Sequence, residues 1–230
     1  MKLASALSEV FGADHIIWVE GETERLCFPL VAKSAGIEWP SGISIVAILN
    51  TGDFEGKKKD ADLIWKLYER LSSSNALLPA ALSFSFDREN RSARKIEDVR
   101  KRSGGIVKFL ARKMYENYLI NPEAIAVVIA EFSGEQIELG QIEDWLVQHG
   151  GEDRHEATED WNQDIFRVEW LRNVHGGKLL KHLFEEVTGT RLYYDKVVHS
   201  SRLTEWLLEN NPHHLCELVE YVRSLLIPPT

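Results

Sequence analysis

Residues 15–30 read HIIWVEGETERLCFPL: an apolar run through Val19, then Glu20, Glu22 and Glu24 spaced two apart around one glycine. A short apolar run that passes directly into a helical pattern predicts a strand turning into a helix. The same change of period recurs through the first half of the chain. SIVAILN at 44–50, ALSFSFD at 81–87 and GIVKFLA at 105–111 are strand-like. Between them GKKKDADLIWKLYERLSSS sets Leu63, Ile64, Leu67 and Leu71 on one helical face, and SARKIEDVRKRSGG runs from a Ser92 cap to a glycine stop. Strands alternating with helices predict an α/β fold with a mostly parallel sheet covered on both faces. Pro29 falls inside the first of these helices, which predicts a kink or a late start.

From Asn121 the pattern changes. NPEAIAVVIAEF opens with an Asn cap and a proline at the first helical position, and LGQIEDWLVQH, GGKLLKHLFEEV, SSRLTEWLLE and HHLCELVEYVRSLL repeat apolar residues three and four apart. The chain therefore divides into an α/β domain over 1–133 and an α-helical C-terminal region over 134–230 that packs on it. The acidic segment GGEDRHEATEDWNQD at 150–164 has no period and reads as a solvated loop. LASALSEVF at 3–11 predicts a helix, and Met1 stands almost inside it, which suggests an isolated C-terminal region or a partner protein.

With 230 residues and 44% hydrophobic content the chain can bury a proper core. No apolar run approaches the length of a membrane span and no signal-peptide order is present, so the expected location is cytoplasmic. Cys27 and Cys216 are far apart in apolar helical settings and read as core residues. A formal net charge of -9 opposes non-specific nucleic-acid binding, so any contact with DNA must use a local basic surface. Arg88, Arg91, Arg94, Lys95, Arg100, Lys101 and Arg102, with Lys57, Lys58 and Lys59, offer one; the alternative is a solvated helix face, which Glu97 and Asp98 interrupt.

The acids follow the strands. Glu20 ends the first and Glu24 lies one helical turn on; Asp53 follows the second in LNTGDFE; Asp87 and Glu89 end the third in FDRE; Glu116 comes soon after the fourth. Ligands of open parallel sheets bind beyond the carboxyl ends of the strands. Two carboxylates about 4 Å apart repel by roughly 4 kcal/mol at an effective dielectric near 20, so a cluster stays ionised only with cations among it. Oxygen ligands select Mg²⁺ or Mn²⁺. Taken singly, each acid equally suits the first turn of a helix, where it complements the dipole.

These residues resemble the TOPRIM domain, marked by a glutamate after the first strand and a D-x-D pair after the third; the counterparts are Glu20 in VEGETE and Asp87 with Glu89 in DRE. WVEGETERLCFPL, FDREN, RKMYENYL and HGGKLLKHLF further resemble the C-terminal nuclease region of the overcoming-lysogenization-defect (OLD) family of ATP-dependent endonucleases, over roughly residues 8–185. The resemblance implies two-metal hydrolysis of DNA phosphodiesters, with Mg²⁺ or Mn²⁺ held by Glu20, Glu24, Asp53, Asp87 and Glu89. It also implies catalytic roles for Glu20, Asp87 and Lys178, the last adding positive charge at the transition state. Arg112 and Glu116 would support the ligands, or form a buried ion pair or a surface helix face. Asp53 is a ligand or a turn residue, and Lys178 is otherwise an exposed helix-start lysine. The third-strand pair departs from the pattern as D-x-E. Family members carry an ATPase ahead of the nuclease, so an ATPase domain or subunit is the implied partner, with DNA, a possible homo-oligomer, and phage defence as the implied setting. A catalytically silent TOPRIM module docking an ATPase, and an RNA-cleaving nuclease, are the alternatives.

Some chemistry is absent from the sequence. No G-x-x-x-x-G-K-[ST] occurs, since HGGKLLK lacks the leading glycine and the following hydroxyl, and no H-E-x-x-H occurs. Tyr115, Tyr118, Tyr193 and Tyr194 lie in segments best explained by packing rather than by a nucleophilic role.

Overall fold

The computed structural model describes residues 13–47, 81–157 and 161–227. The expected helices at 3–11 and after Lys57, the end of the second strand, Asp53 and Lys57–Lys59 lie outside these residues. The described residues form two compact units, one comprising 13–47, 81–86, 90–109 and 221–227, the other 87–89, 110–157 and 161–220.

The first unit holds the sheet. β1 (His15–Val19), β2 (Ile43–Ala47), β3 (Ala81–Phe86) and β4 (Val107–Phe109) are all parallel, in the order β2-β1-β3-β4. Alternation sorts the side chains. Ile16, Val46, Leu82, Phe84, Phe86, Val107 and Phe109 form one apolar cluster with Val99, while His15, Ile17, Val19, Ser83 and Ser85 take the alternate positions on their strands and are buried as well. Two buried faces are what a parallel sheet requires. On the Ser83 side His15 Nε2 lies 3.0 Å from Ser83 Oγ, and the Tyr221 hydroxyl lies 2.8 Å from Ser85 Oγ.

Helix α1 (Glu22–Ser34) begins directly after β1 and buries Cys27, Phe28, Val31 and Ala32. The expected late start is corrected: the helix is formed from Glu22 and carries Pro29 within it. Helix α2 (Ala93–Arg102) is capped by Ser92 Oγ, which accepts from the Lys95 amide at 3.3 Å, and only Val99 is fully buried on it. Gly104 and Gly105 then take φ of 60° and 82°, the left-handed turn that glycine accepts without a Cβ penalty, and lead into β4.

The second unit is helical. α3 (Pro122–Ser133), α4 (Leu139–His149), α5 (Val168–Asn173), α6 (Gly176–Val187) and α7 (Lys196–Asn210) bury Ile125, Ile129, Ile142, Leu146, Trp170, Leu179, Leu183, Phe184, Leu203 and Leu207. α3 starts as the Asn-Pro pattern predicts, with Asn121 Oδ1 accepting from the Ala124 amide at 3.0 Å. HHLCELVEYVRSLL is not one helix: Pro212–Leu215 make a 3-10 turn, and α8 (Cys216–Leu226) follows.

Three further expectations are corrected. Cys27 is fully buried but Cys216 is exposed. Tyr193 is 65% exposed, so packing does not account for it. The 150–164 segment is not simply solvated, because Asp153–His155 form a 3-10 turn and His155 is wholly buried. Among the described residues no helix is long and apolar enough to cross a membrane.

Candidate functional site

In the first unit the three glutamates after β1 have different fates. Glu22 faces outward and accepts a hydrogen bond from Arg25 Nε at 2.9 Å, and that guanidinium holds its carboxyl below the usual range. Glu20 is half-buried at the strand end. Glu24 is 3% exposed, in the first turn of α1. Its carboxylate folds back over Gly21, where an added Cβ would stand 3.0 Å from Oε2. The glycine therefore keeps a cradle open for a buried carboxylate. The signal for this was present in the sequence: Glu24 shares the helical stripe of Cys27, Phe28 and Val31, whereas Glu22 does not. The parallel register pairs Val19 with Ser85, so Glu20 leaves β1 level with Phe86, the last residue of β3.

In the second unit, Asp87 is 8% exposed and opens the D-x-E loop. Glu89 adopts φ 47°, rare for a residue with a side chain, and its amide donates to the Lys113 carbonyl at 2.8 Å. Arg88 donates to the Arg172 carbonyl at 2.9 Å and to Asn173 Oδ1 at 2.6 Å. The Lys113 amide reaches the same Arg172 carbonyl at 2.9 Å. The loop is thus pinned at two successive residues.

Lys113 leads to Lys178. The Lys113 ammonium lies 2.6 Å from Glu156 Oε2, and Lys178 Nζ lies 2.7 Å from Glu156 Oε1. Glu156 itself has a left-handed φ of 52°. Sequence reasoning missed both Lys113 and Glu156, since neither lies on a strand end and their pairing joins distant segments. Lys178 stands in the first turn of α6, where its amide donates to His175 Nδ1 at 3.3 Å. Burial pushes the His175 imidazole below its ordinary value, which keeps that nitrogen an acceptor. Behind it the His175 amide donates to the His155 carbonyl at 2.7 Å. His155 Nδ1 lies 2.9 Å from the His149 carbonyl, so it carries the proton, and Nε2 accepts from His182 Nδ1 at 3.0 Å. α6 is seated on the 3-10 turn Tyr115–Leu119, where Asn117 Nδ2 donates to the carbonyls of Leu171 and Val174, each at 2.8 Å.

Arg112 and Glu116 are engaged within this unit. Arg112 Nε donates to Glu217 Oε2 at 2.9 Å, and its guanidinium lies 4.5 Å from the centre of the Tyr118 ring. Glu116, completely buried, pairs with Lys196 Nζ at 3.0 Å.

The architecture has solved counterparts. Two structures of the C-terminal region of the Xanthomonas campestris pv. campestris OLD protein, phased with platinum and with mercury, each align at a TM-score of 0.50. Identity is 15% and 16%, over 95% and 94% of this chain and 96% and 98% of theirs. The chain has the fold of the OLD C-terminal region. No family model and no curated protein matches the sequence.

On this OLD-like fold the carboxylates offer oxygen donors alone, which fits a hard divalent cation. Among the described residues no group of three or more His, Cys, Asp or Glu is disposed to hold a metal ion, and Asp53 is outside them. The basic residues divide by use. Arg88 is committed to the loop, Arg91 stacks over Phe109 at 5.5 Å, and Lys101 and Arg100 lie 3.5 and 3.8 Å from Glu97. Arg94 and Lys95 are exposed. Burial raises the Tyr118 phenol to about 12, far from what a nucleophile at neutral pH needs.

Proposed function

We propose that the chain is a metal-dependent nuclease domain that hydrolyses DNA phosphodiesters, working with an ATPase of the OLD type. The observation that carries this reading is the placement of two buried acids, Glu24 at 3% and Asp87 at 8% exposure, shortly after the ends of β1 and β3, where parallel sheets bind their ligands. The shared fold supports it. Glu20, Glu24, Asp53, Asp87 and Glu89 would hold two Mg²⁺ or Mn²⁺ ions, which supply an activated water and neutralise charge on the phosphate and the leaving oxygen. Glu24 contributes a carboxylate preset by the open space at Gly21. Glu89 contributes one whose main chain is anchored to Lys113. Lys178 brings a cation to the developing negative charge, and Arg94, Lys95 and Lys101 draw the DNA backbone in.

The test is nicking of supercoiled plasmid in Mn²⁺ or Mg²⁺. Wild type nicks, while Glu20→Ala and Asp87→Ala lose about a hundredfold or more of the rate. Intact plasmid with wild type, or equal nicking by the variants, overturns the reading.

A second reading is favoured by one observation. Glu156 already pairs with Lys178, the cation the nuclease reading needs at the transition state. On that reading the chain is a silent module that docks an ATPase. Calorimetric titration with Mn²⁺ separates the two, since a silent module binds none at concentrations that support catalysis.

A further inference from the structure

Glu156 bridges two cations through its two oxygens, at 2.6 Å from Lys113 Nζ and 2.7 Å from Lys178 Nζ. This is how a two-oxygen anion sits between ammonium groups. The Lys113 side chain is only 5% exposed, so its ammonium gains from an anionic partner at this place. Its amide and carbonyl are both tied down, to Arg172 and to Glu89, so the buried cation and the D-x-E loop are fixed to each other. Glu156 reaches the lysines from a left-handed backbone conformation that is unfavourable for a residue with a side chain. The Lys178 side of the bridge faces water, with side-chain exposures of 47% for Lys178 and 35% for Glu156. An ion from solution can therefore approach from that side.

We infer that Lys113 and Lys178 form a binding site for a phosphate oxyanion, which the Glu156 carboxylate fills in the resting protein and leaves when phosphate enters. The inference rests on the nuclease reading for the identity of the anion. A phosphate group presents two oxygens across a similar span and carries the same sign of charge, so it can take over both contacts. With Glu156 in place the trio carries one net positive charge. Without the carboxylate it carries two, and the position between the lysines is open.

The experiment is calorimetric titration of the full chain with inorganic phosphate in metal-free buffer. Glu156→Gln, which keeps shape and removes charge, binds phosphate about tenfold or more tighter than wild type. Adding Lys178→Met to that variant abolishes the gain. Equal affinity of wild type and a folded Glu156→Gln, or a gain that survives Lys178→Met, overturns the proposal. If Glu156→Gln does not fold, wild type is compared with Lys178→Met alone: weak binding that Lys178→Met loses supports the site, and equal affinities overturn it. Since no nucleic acid is cleaved in this assay, its outcome is separate from that of plasmid nicking.

Discussion

At Gly176 a Cβ would stand 2.7 Å from Asn117 Oδ1, 2.8 Å from the Asn117 amide nitrogen and 3.0 Å from the Glu116 carbonyl carbon. Two of these atoms are main chain and cannot swing aside. At Gly177 the nearest atom is Met114 Sδ, at 3.6 Å. Urea unfolding should therefore show Gly176→Ala destabilised by about 1–3 kcal/mol. Gly177→Ala should be neutral or slightly stabilising, because alanine favours a helix by up to about 1 kcal/mol over glycine. The HGGK motif is legible in the sequence, but which glycine is indispensable is not, because the close approach is to residues of another segment. The same holds for Lys113, Glu156 and Lys178, whose pairing depends on three separate stretches. Glu24 is the opposite case: its burial is encoded in the period of its own helix.

Among the elements, α3 and α2 begin with caps of different strength. Asn121 is buried and its bond to Ala124 is 3.0 Å long; Ser92 is exposed and its bond to Lys95 is 3.3 Å long. Asn121→Ala should cost about 1 kcal/mol and Ser92→Ala less, as read from denaturation midpoints. Both caps are legible, because Asn-Pro and Ser before a helical run are local signals. So are the four strands: their starts, and the ends of the first, third and fourth, shift by a few residues at most from the expected runs. The short α5 escapes the sequence because six residues hold too few turns to show a period. The break before α8 follows from Pro212, which favours a tight first turn after Asn211.

At the scale of the whole molecule, the chain alternates between the units: residues 87–89 belong with the helical unit although β3 and α2 on either side do not. No local pattern reveals this, since it depends on bonds such as that from the Glu89 amide to Lys113. The helical unit also concentrates buried and half-buried imidazoles. His155, His175 and His199 lie below their ordinary value through burial, and His214 is pushed down to about 4 by burial, with Arg112 adding to the effect. A group that protonates more readily unfolded than folded destabilises the native state on acidification. Stability should hold above the unfolded value of 6.5 and decline as pH falls below it, His214 contributing up to about 1.4 kcal/mol per pH unit down to about 4. Urea midpoints at neutral pH and near pH 5 measure this, and His214→Gln should flatten the decline. A midpoint that rises on acidification would contradict it.

The main chain at position 89 is wound in the hand that aspartate, asparagine and glycine accept more readily than glutamate does. The difference between D-x-E and D-x-D is therefore not confined to one methylene of reach. The longer acid accepts a torsional penalty that the shorter one would lessen, and the amide bond to Lys113 holds it there. Any comparison of the two acids at this site weighs a bond's length of extension against an easier backbone.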